Sequence, residues 1–234
     1  MTVADRDHPE AQILAAWARN ARPWTTVVRS ACIASRRDVT DAAVVDAVCQ
    51  QQPATVIDLG CGEGWLVRAL VAQGLVVLGV DGIPELIEAA RAAGGGRYRC
   101  LDYAAVAAGG LDETADVVVC NFSLLGGASV DELMHTVPTL LNPGGALIIQ
   151  TLHPVTACGD AAYEDGWRDG TWAGIEGDFS PAPPWYFRTV RSWERLVADS
   201  GLTCIERQEP MWSATGQPAS LLMVARRASD AGSR

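Results

Sequence analysis

The residues best placed to do chemistry lie in one short run, Val56-Ile-Asp-Leu-Gly-Cys-Gly-Glu-Gly-Trp65. A β-branched apolar stretch leads into Gly60, Gly62 and Gly64 and then directly into helical spacing. Glycines at such a turn permit positive φ and let backbone N–H groups approach a ligand at a helix N-terminus. The spacing is G-x-G-x-G, with Cys61 inside it, rather than the G-x-G-x-x-G of dinucleotide sites. Asp58 stands within the strand end. A carboxylate there repels a pyrophosphate and suits a ligand that carries an ammonium or sulfonium group.

Three more strand ends carry suitable chemistry. Asp81-Gly82 closes the next strand, about twenty residues past the loop, where an acidic side chain accepts hydrogen bonds from both hydroxyls of a ribose. Asp102-Tyr103 closes the third, where a carboxylate can take the amino proton of adenine and a ring can stack. Asn121-Phe122-Ser123 closes the fourth, beside the ligand expected at the switch point of the sheet. Each alone is unremarkable; together they form a constellation.

His153 follows the fifth strand in Thr-Leu-His-Pro and is the candidate general base, with an unperturbed pKa of about 6.5. A histidine bonded to nearby backbone is the structural alternative. Arg36 is the candidate partner for a ligand carboxylate and Trp24 the candidate cover of that end, against a solvated arginine and a core tryptophan. Trp167, Trp172, Trp185 and Tyr186 are expected to wall a substrate pocket, with Arg188 binding an acidic group; a plug that only excludes water is the plainer reading. His135 reads as structural and His8 as solvent-exposed. No His, Cys or Asp cluster has metal-ligand spacing, so no metal is expected.

These residues need a frame. The first fifty residues read as helices, with Ile13, Leu14 and Trp17 on one face and Val44, Val45 and Val48 on another, the second capped by Thr40 or Asp41. Strands are predicted at 55–59, 75–80, 98–101, 115–120 and 146–151, with helices at 64–73, 84–93 and around Leu133–Leu141, the last ended by Asn142-Pro-Gly-Gly145. Strands apolar on both faces and separated by helices imply a parallel sheet covered on both sides. His153–Arg188 lacks a period but holds too many aromatics to stay in water. A helix through Val190–Val197 and strands at 202–206 and 220–225 follow. The expectation is one α/β domain, a Rossmann-like three-layer αβα sandwich. It comprises an N-terminal helical lid (1–52), a cofactor core (54–152), a substrate cap (153–188) and a C-terminal helix with strands (189–226).

Composition narrows the partners. The formal charge is −10, and all 18 basic residues are Arg. That field opposes a nucleic-acid backbone, and Arg29, Arg36 and Arg37 are too sparse a cluster to reverse it. Seven scattered cysteines without a C-x-x-C pair fit reduced thiols. No apolar run is long enough to span a bilayer and the first ten residues are polar, so a cytoplasmic protein is expected, as monomer or homodimer.

On these motifs, residues 54–152 resemble a class I S-adenosylmethionine-dependent methyltransferase, of the small-molecule branch similar to the ubiquinone/menaquinone-type enzymes. Leu78-Gly-Val-Asp81, Asp102 and Leu141-Asn-Pro-Gly-Gly-Ala-Leu147 match later motifs of that family. The resemblance implies a seven-stranded sheet with a final antiparallel strand. It places Asp58, Gly60 and Gly62 at the methionine part, Asp81 at the ribose and Asp102 at the adenine. Gly126-Gly127 departs from relatives that carry a His or another large residue after the fourth strand. The implied reaction is in-line methyl transfer to a small molecule. Three readings stay beside it: cyclisation or aminoalkyl transfer releasing methylthioadenosine, a non-catalytic cofactor-binding protein, and a nicotinamide dehydrogenase, which the loop spacing disfavours.

Overall fold

The computed structural model describes residues 9–227, so His8 and the run before it lie outside the described residues. Helix α1 (Pro9–Arg29), a π-helical turn (Arg36–Thr40) and α2 (Asp41–Gln50) precede β1 (Thr55–Leu59). Strands and helices then alternate: α3 (Trp65–Ala72), β2 (Val76–Asp81), α4 (Pro84–Ala93), β3 (Arg97–Cys100), α5 (Tyr103–Ala107), β4 (Ala115–Asn121), α6 (Ala128–Thr136) and β5 (Leu141–Leu152). Next come α7 (Pro154–Cys158), the pair β6 (Gly166–Arg168) and β7 (Trp185–Phe187), α8 (Val190–Asp199) and β8 (Leu202–Gln208). A small hairpin of β9 (Met211–Trp212) and β10 (Gln217–Pro218) leads into β11 (Ser220–Arg227).

The central sheet has seven strands in the order β3-β2-β1-β4-β5-β11-β8. Strands β1 to β5 pair in parallel, and β11 runs antiparallel to both β5 and β8. Strand order reverses between β1 and β4, and the crevice of such a sheet opens beyond the carboxyl ends at that reversal. Asp58, Asp81 and Asn121 all end strands there.

Alternation along each strand divides the core. Ile57, Leu59, Val118, Cys120, Leu147 and Ile149 face α6 and α8; Val56, Val117, Val119 and Ile148 face Val44, Val48, Leu66 and Leu70 of α2 and α3. Asp58 shares the Val56 side, so its carboxylate is folded under the helix that the glycine loop opens.

The turn expected at Asn142–Gly145 is instead part of β5. The register jumps from Ala115↔Leu141 to Val117↔Ala146, so these residues bulge out of the ladder. Asp116 anchors the bulge and the start of β1. Its carboxylate accepts from Asn142 Nδ2 (2.8 Å), the Thr55 and Ala54 N–H groups (both 2.9 Å) and Thr55 Oγ1 (3.0 Å). Those bonds, led by Asn142, hold its pKa down at about 2. Thr40 occupies the N-cap position of α2 without a side-chain cap bond, because the π-helical turn runs straight into the helix. Among the described residues no helix is long and apolar enough to cross a membrane.

Candidate functional site

The loop after β1 carries three left-handed glycines, Gly60 (φ 78°), Gly62 (56°) and Gly64 (83°). The Gly60 and Cys61 N–H groups both donate to the Val80 carbonyl (2.7 and 3.0 Å), which pins the loop to β2. A Cβ on Gly60 would lie 2.3 Å from that of Ser123, so glycine is also a steric need there. Asp81 closes the other side: Oδ2 accepts the Gly62 N–H (2.8 Å) and Oδ1 the Ile83 N–H (2.9 Å). Each oxygen keeps a further lone pair for a ligand.

Asp58 is the exceptional group. It is 1% exposed, and neither carboxylate oxygen has a hydrogen-bond partner. Burial, followed by the charge of Asp81, pushes its pKa up to about 8. Burial also raises Asp81 itself. Two buried carboxylates at one loop favour a cation between them. The same burial, reinforced by these carboxylates, drives the Cys61 thiol up, which leaves it an unreactive wall.

Further along the edge, Asp102 caps α5 by accepting the Ala105 N–H at Oδ1 (2.7 Å). The Tyr103 ring packs against the core, and its hydroxyl donates to the Ser123 carbonyl (3.1 Å). Its place is beneath Gly60, as a brace. Gly82 lets β2 and β3 converge, since a Cβ there would sit 2.9 Å from Asp102 Cβ. Phe122 holds a left-handed φ of 52°, a strained conformation, while its N–H donates to the Gln150 carbonyl (2.7 Å). Ser123 Oγ donates to the Leu59 carbonyl (2.7 Å). Asn121 Oδ1 accepts from Gln150 Nε2 (2.7 Å), a positioning residue the sequence signalled only as a polar interruption of an apolar strand.

The N-terminal helices cover this edge. Arg36 is half-buried against Trp65 (4.7 Å from ring centroid) and near Trp24 (5.9 Å), with Nε on Asp41 (3.0 Å). Its Nη2 is buried without a partner. Trp24 Nε1 lies 3.9 Å from where a Gly62 Cβ would stand. Helix α1 is tied at both ends. Glu10 accepts the Gly127 N–H (2.8 Å) and Ser129 Oγ–H (2.6 Å), and Arg29 pairs with Glu63 of the glycine loop (2.7 Å). Arg68 holds the same Glu63 carboxylate at 2.8 Å. Sequence spacing signalled none of these ties.

The aromatic residues fall into separate groups. Trp172 meets Trp17 and Trp24 (5.7 and 6.2 Å) and stacks on Phe179 (4.3 Å), extending the cover over the loop. Trp167 and Tyr186 pair across β6 and β7 and stand beside Gly127. Trp185 does not share their pocket: neighbours on a strand point to opposite faces, and its ring meets Phe187 instead. The expected role of Arg188 is corrected as well. Its buried guanidinium donates to the Gly126 and Gly127 carbonyls (2.7 and 2.8 Å) and to Asp131 (2.8 Å), so it staples the fold and has no claim on an acidic substrate. His153 is 4% exposed at the head of α7, with neither ring nitrogen hydrogen-bonded. His135 bonds the Asp131 carbonyl through Nδ1 (2.7 Å), a structural contact. Among the described residues no group of His, Cys, Asp or Glu could hold a metal ion.

Residues 29–207 match the model of a family described as a methyltransferase domain. A ubiquinone biosynthesis O-methyltransferase of Sinorhizobium medicae is 34% identical over 101 residues, 42% of this chain and 41% of that protein. Another of Sinorhizobium fredii is 32% identical over 126 residues, 48% and 51% of the two chains. The chain thus spans about half the length of the curated relatives it matches. A solved S-adenosylmethionine-dependent methyltransferase from Mesorhizobium loti superposes with a TM-score of 0.59 at 24% identity, over 79% of this chain and 96% of that one. One from Clostridium acetobutylicum reaches 0.64 at 13% identity, over 87% and 100%. These likenesses establish the fold, a Rossmann-like methyltransferase sheet.

Proposed function

The chain belongs to the methyltransferase-domain family, and from that premise we propose that it binds S-adenosylmethionine and methylates a small-molecule acceptor. One observation carries the reading: Asp58, a buried carboxylate with no partner, set beside a glycine loop. Such a group fits the ammonium of an amino-acid ligand. The unpartnered Nη2 of Arg36 fits its carboxylate, Asp81 the ribose and Asp102 the adenine. Trp24 covers the methionine end, and Gly60, Cys61, Gly62 and Gly82 form walls that admit the ligand closely. When bound, this cosubstrate supplies an electrophilic methyl group.

The residues of the chain contribute alignment and dryness. Helix α1 (the lid) and Trp172 exclude water above the loop, while Asn121, Phe122 and Ser123 shape the floor toward β5. Trp167 and Tyr186 border the acceptor side, and His153 is the base for an acceptor that must lose a proton. Names of the matched relatives support an oxygen acceptor. A cytoplasmic protein without nucleic-acid partners suits the charge of −10.

Calorimetry with S-adenosylmethionine and S-adenosylhomocysteine tests the reading, followed by chromatography of the spent cosubstrate. Binding of both, with S-adenosylhomocysteine as product, is expected. Methylthioadenosine as product would establish aminoalkyl chemistry instead, and absence of binding would sink the proposal.

A further inference from the structure

A buried histidine that serves structure bonds a neighbour, and His153 does not. The charged group facing it is Glu209, whose Oε2 lies 3.8 Å from Nε2. That separation is too long for a hydrogen bond and short enough for an ion pair. Glu209 links β8 to β9, and the chain around it is fixed. The Ala219 N–H donates to the Pro210 carbonyl (2.8 Å), and Thr156 Oγ1 of α7 donates to the Pro218 carbonyl (3.0 Å). The β9–β10 hairpin is thereby fastened to the helix that His153 opens.

Two more buried polar atoms without partners border this hairpin. One is Trp212 Nε1 in β9, the other Thr40 Oγ1 in the π-helical turn against which β9 packs. The Thr40 carbonyl accepts from Gln150 Nε2 (3.0 Å), in the strand that ends one residue before His153. Unsatisfied polar groups on adjoining elements suit a polar occupant more than an apolar one.

We propose that Glu209 is the positioning residue of His153, directing its Nε2–H and leaving Nδ1 as the base for an acceptor hydroxyl. The pairing stands on geometry; its use in catalysis rests on the methyl-transfer reading above. In the step, the acceptor oxygen gains the methyl group, its proton passes to Nδ1, and the S–CH3 electron pair stays on sulfur. An imidazolium then forms opposite Glu209, close enough to tighten into a charge-assisted hydrogen bond. Among the described residues Glu209 is the one ionisable group within ion-pair range of the ring. Arg207 of β8 lies 3.5 Å from its other oxygen and is shared with Glu194 of α8 (2.9 Å).

The test is an imidazole NMR titration of the whole chain, with His153→Asn identifying the resonance among three histidines. In Glu209→Gln, a change at a 42% exposed side chain that removes the facing carboxylate, the His153 resonance is expected to titrate at lower pH than in the wild type. Glu209→Asp should recover part of that, and Arg207→Gln should move it the other way. An unmoved titration in Glu209→Gln overturns the pairing. With S-adenosylmethionine and catechol as the acceptor probe, the same variant should lower the rate about tenfold at unchanged KM. A rate equal to the wild type in Glu209→Gln overturns the catalytic use of the pairing. Failure to bind S-adenosylmethionine overturns the parent reading, and in either case the titration still judges the pairing.

Discussion

Asp58 costs the folded chain stability. An acid whose folded pKa is about 8, against about 4 unfolded, keeps its proton in the fold while the unfolded chain ionises. Its contribution is therefore full below pH 4 and is lost as pH rises to about 8, beyond which it is level. Asp58→Asn removes that loss. Thermal unfolding should show the variant matching wild type at pH 4 and exceeding it at pH 8 by on the order of a few kcal/mol, while its affinity for S-adenosylmethionine collapses. A gap that does not grow with pH would show that Asp58 stays ionised in the fold. The identity of Asp58, Asp81 and Asp102 was legible because each ends a strand at a readable spacing. What Arg188 does was not. A lone arginine after an aromatic run looks free, and only the fold brings the Gly126 and Gly127 carbonyls to it.

At the scale of elements, Gly126-Gly127 shows why a departure visible in sequence can be uninterpretable there. The missing side chains make room for Glu10, which caps the start of α6 from 117 residues away. A Cβ on Gly126 would lie 2.2 Å from Ser129 Oγ and 2.6 Å from Glu10 Oε2. Gly126→Ala is expected to lower stability by about 1–3 kcal/mol. Amide exchange should rise in the first turns of α1 while the sheet stays protected; uniform exchange across the molecule would contradict a local tie. Strand boundaries, by contrast, were read within a residue or two wherever apolar runs met glycine. The exception is β5, where Asn142–Gly145 has turn composition yet bulges within the strand because Asp116 holds it.

Across the whole molecule, α1 bridges the crevice from the start of α6 to the glycine loop, so covering the site and shaping it are one event. Glu63, fully buried between Arg29 and Arg68, joins the two. Arg29→Ala keeps Glu63 neutralised by Arg68 and removes two ties of the helix end, to Glu63 and to the Ala89 carbonyl (2.8 Å). Proteolysis near Arg29 should speed up and affinity for S-adenosylmethionine should fall several-fold, with global stability changed by no more than about 1 kcal/mol, since Arg29 is 41% exposed. Unchanged proteolysis would mean that Glu10 and the packing of Ala21 against Ile83 and Leu86 hold the helix without it.

Local pattern determined the alternating order of strands and helices, the parallel sheet, the glycine loop and the carboxylates at its strand ends. All of these follow from periodicity and from residues adjacent along the chain. Tertiary structure alone decided which groups remain unpartnered. A polar atom is an orphan only relative to everything packed around it, and Arg36, His153 and Asp58 differ from Arg188 and Asp116 in that respect. The glycine loop that marks the site in the sequence is held in shape by Val80 and Asp81 and covered by Trp24. Contacts so distant along the chain leave no spacing to read.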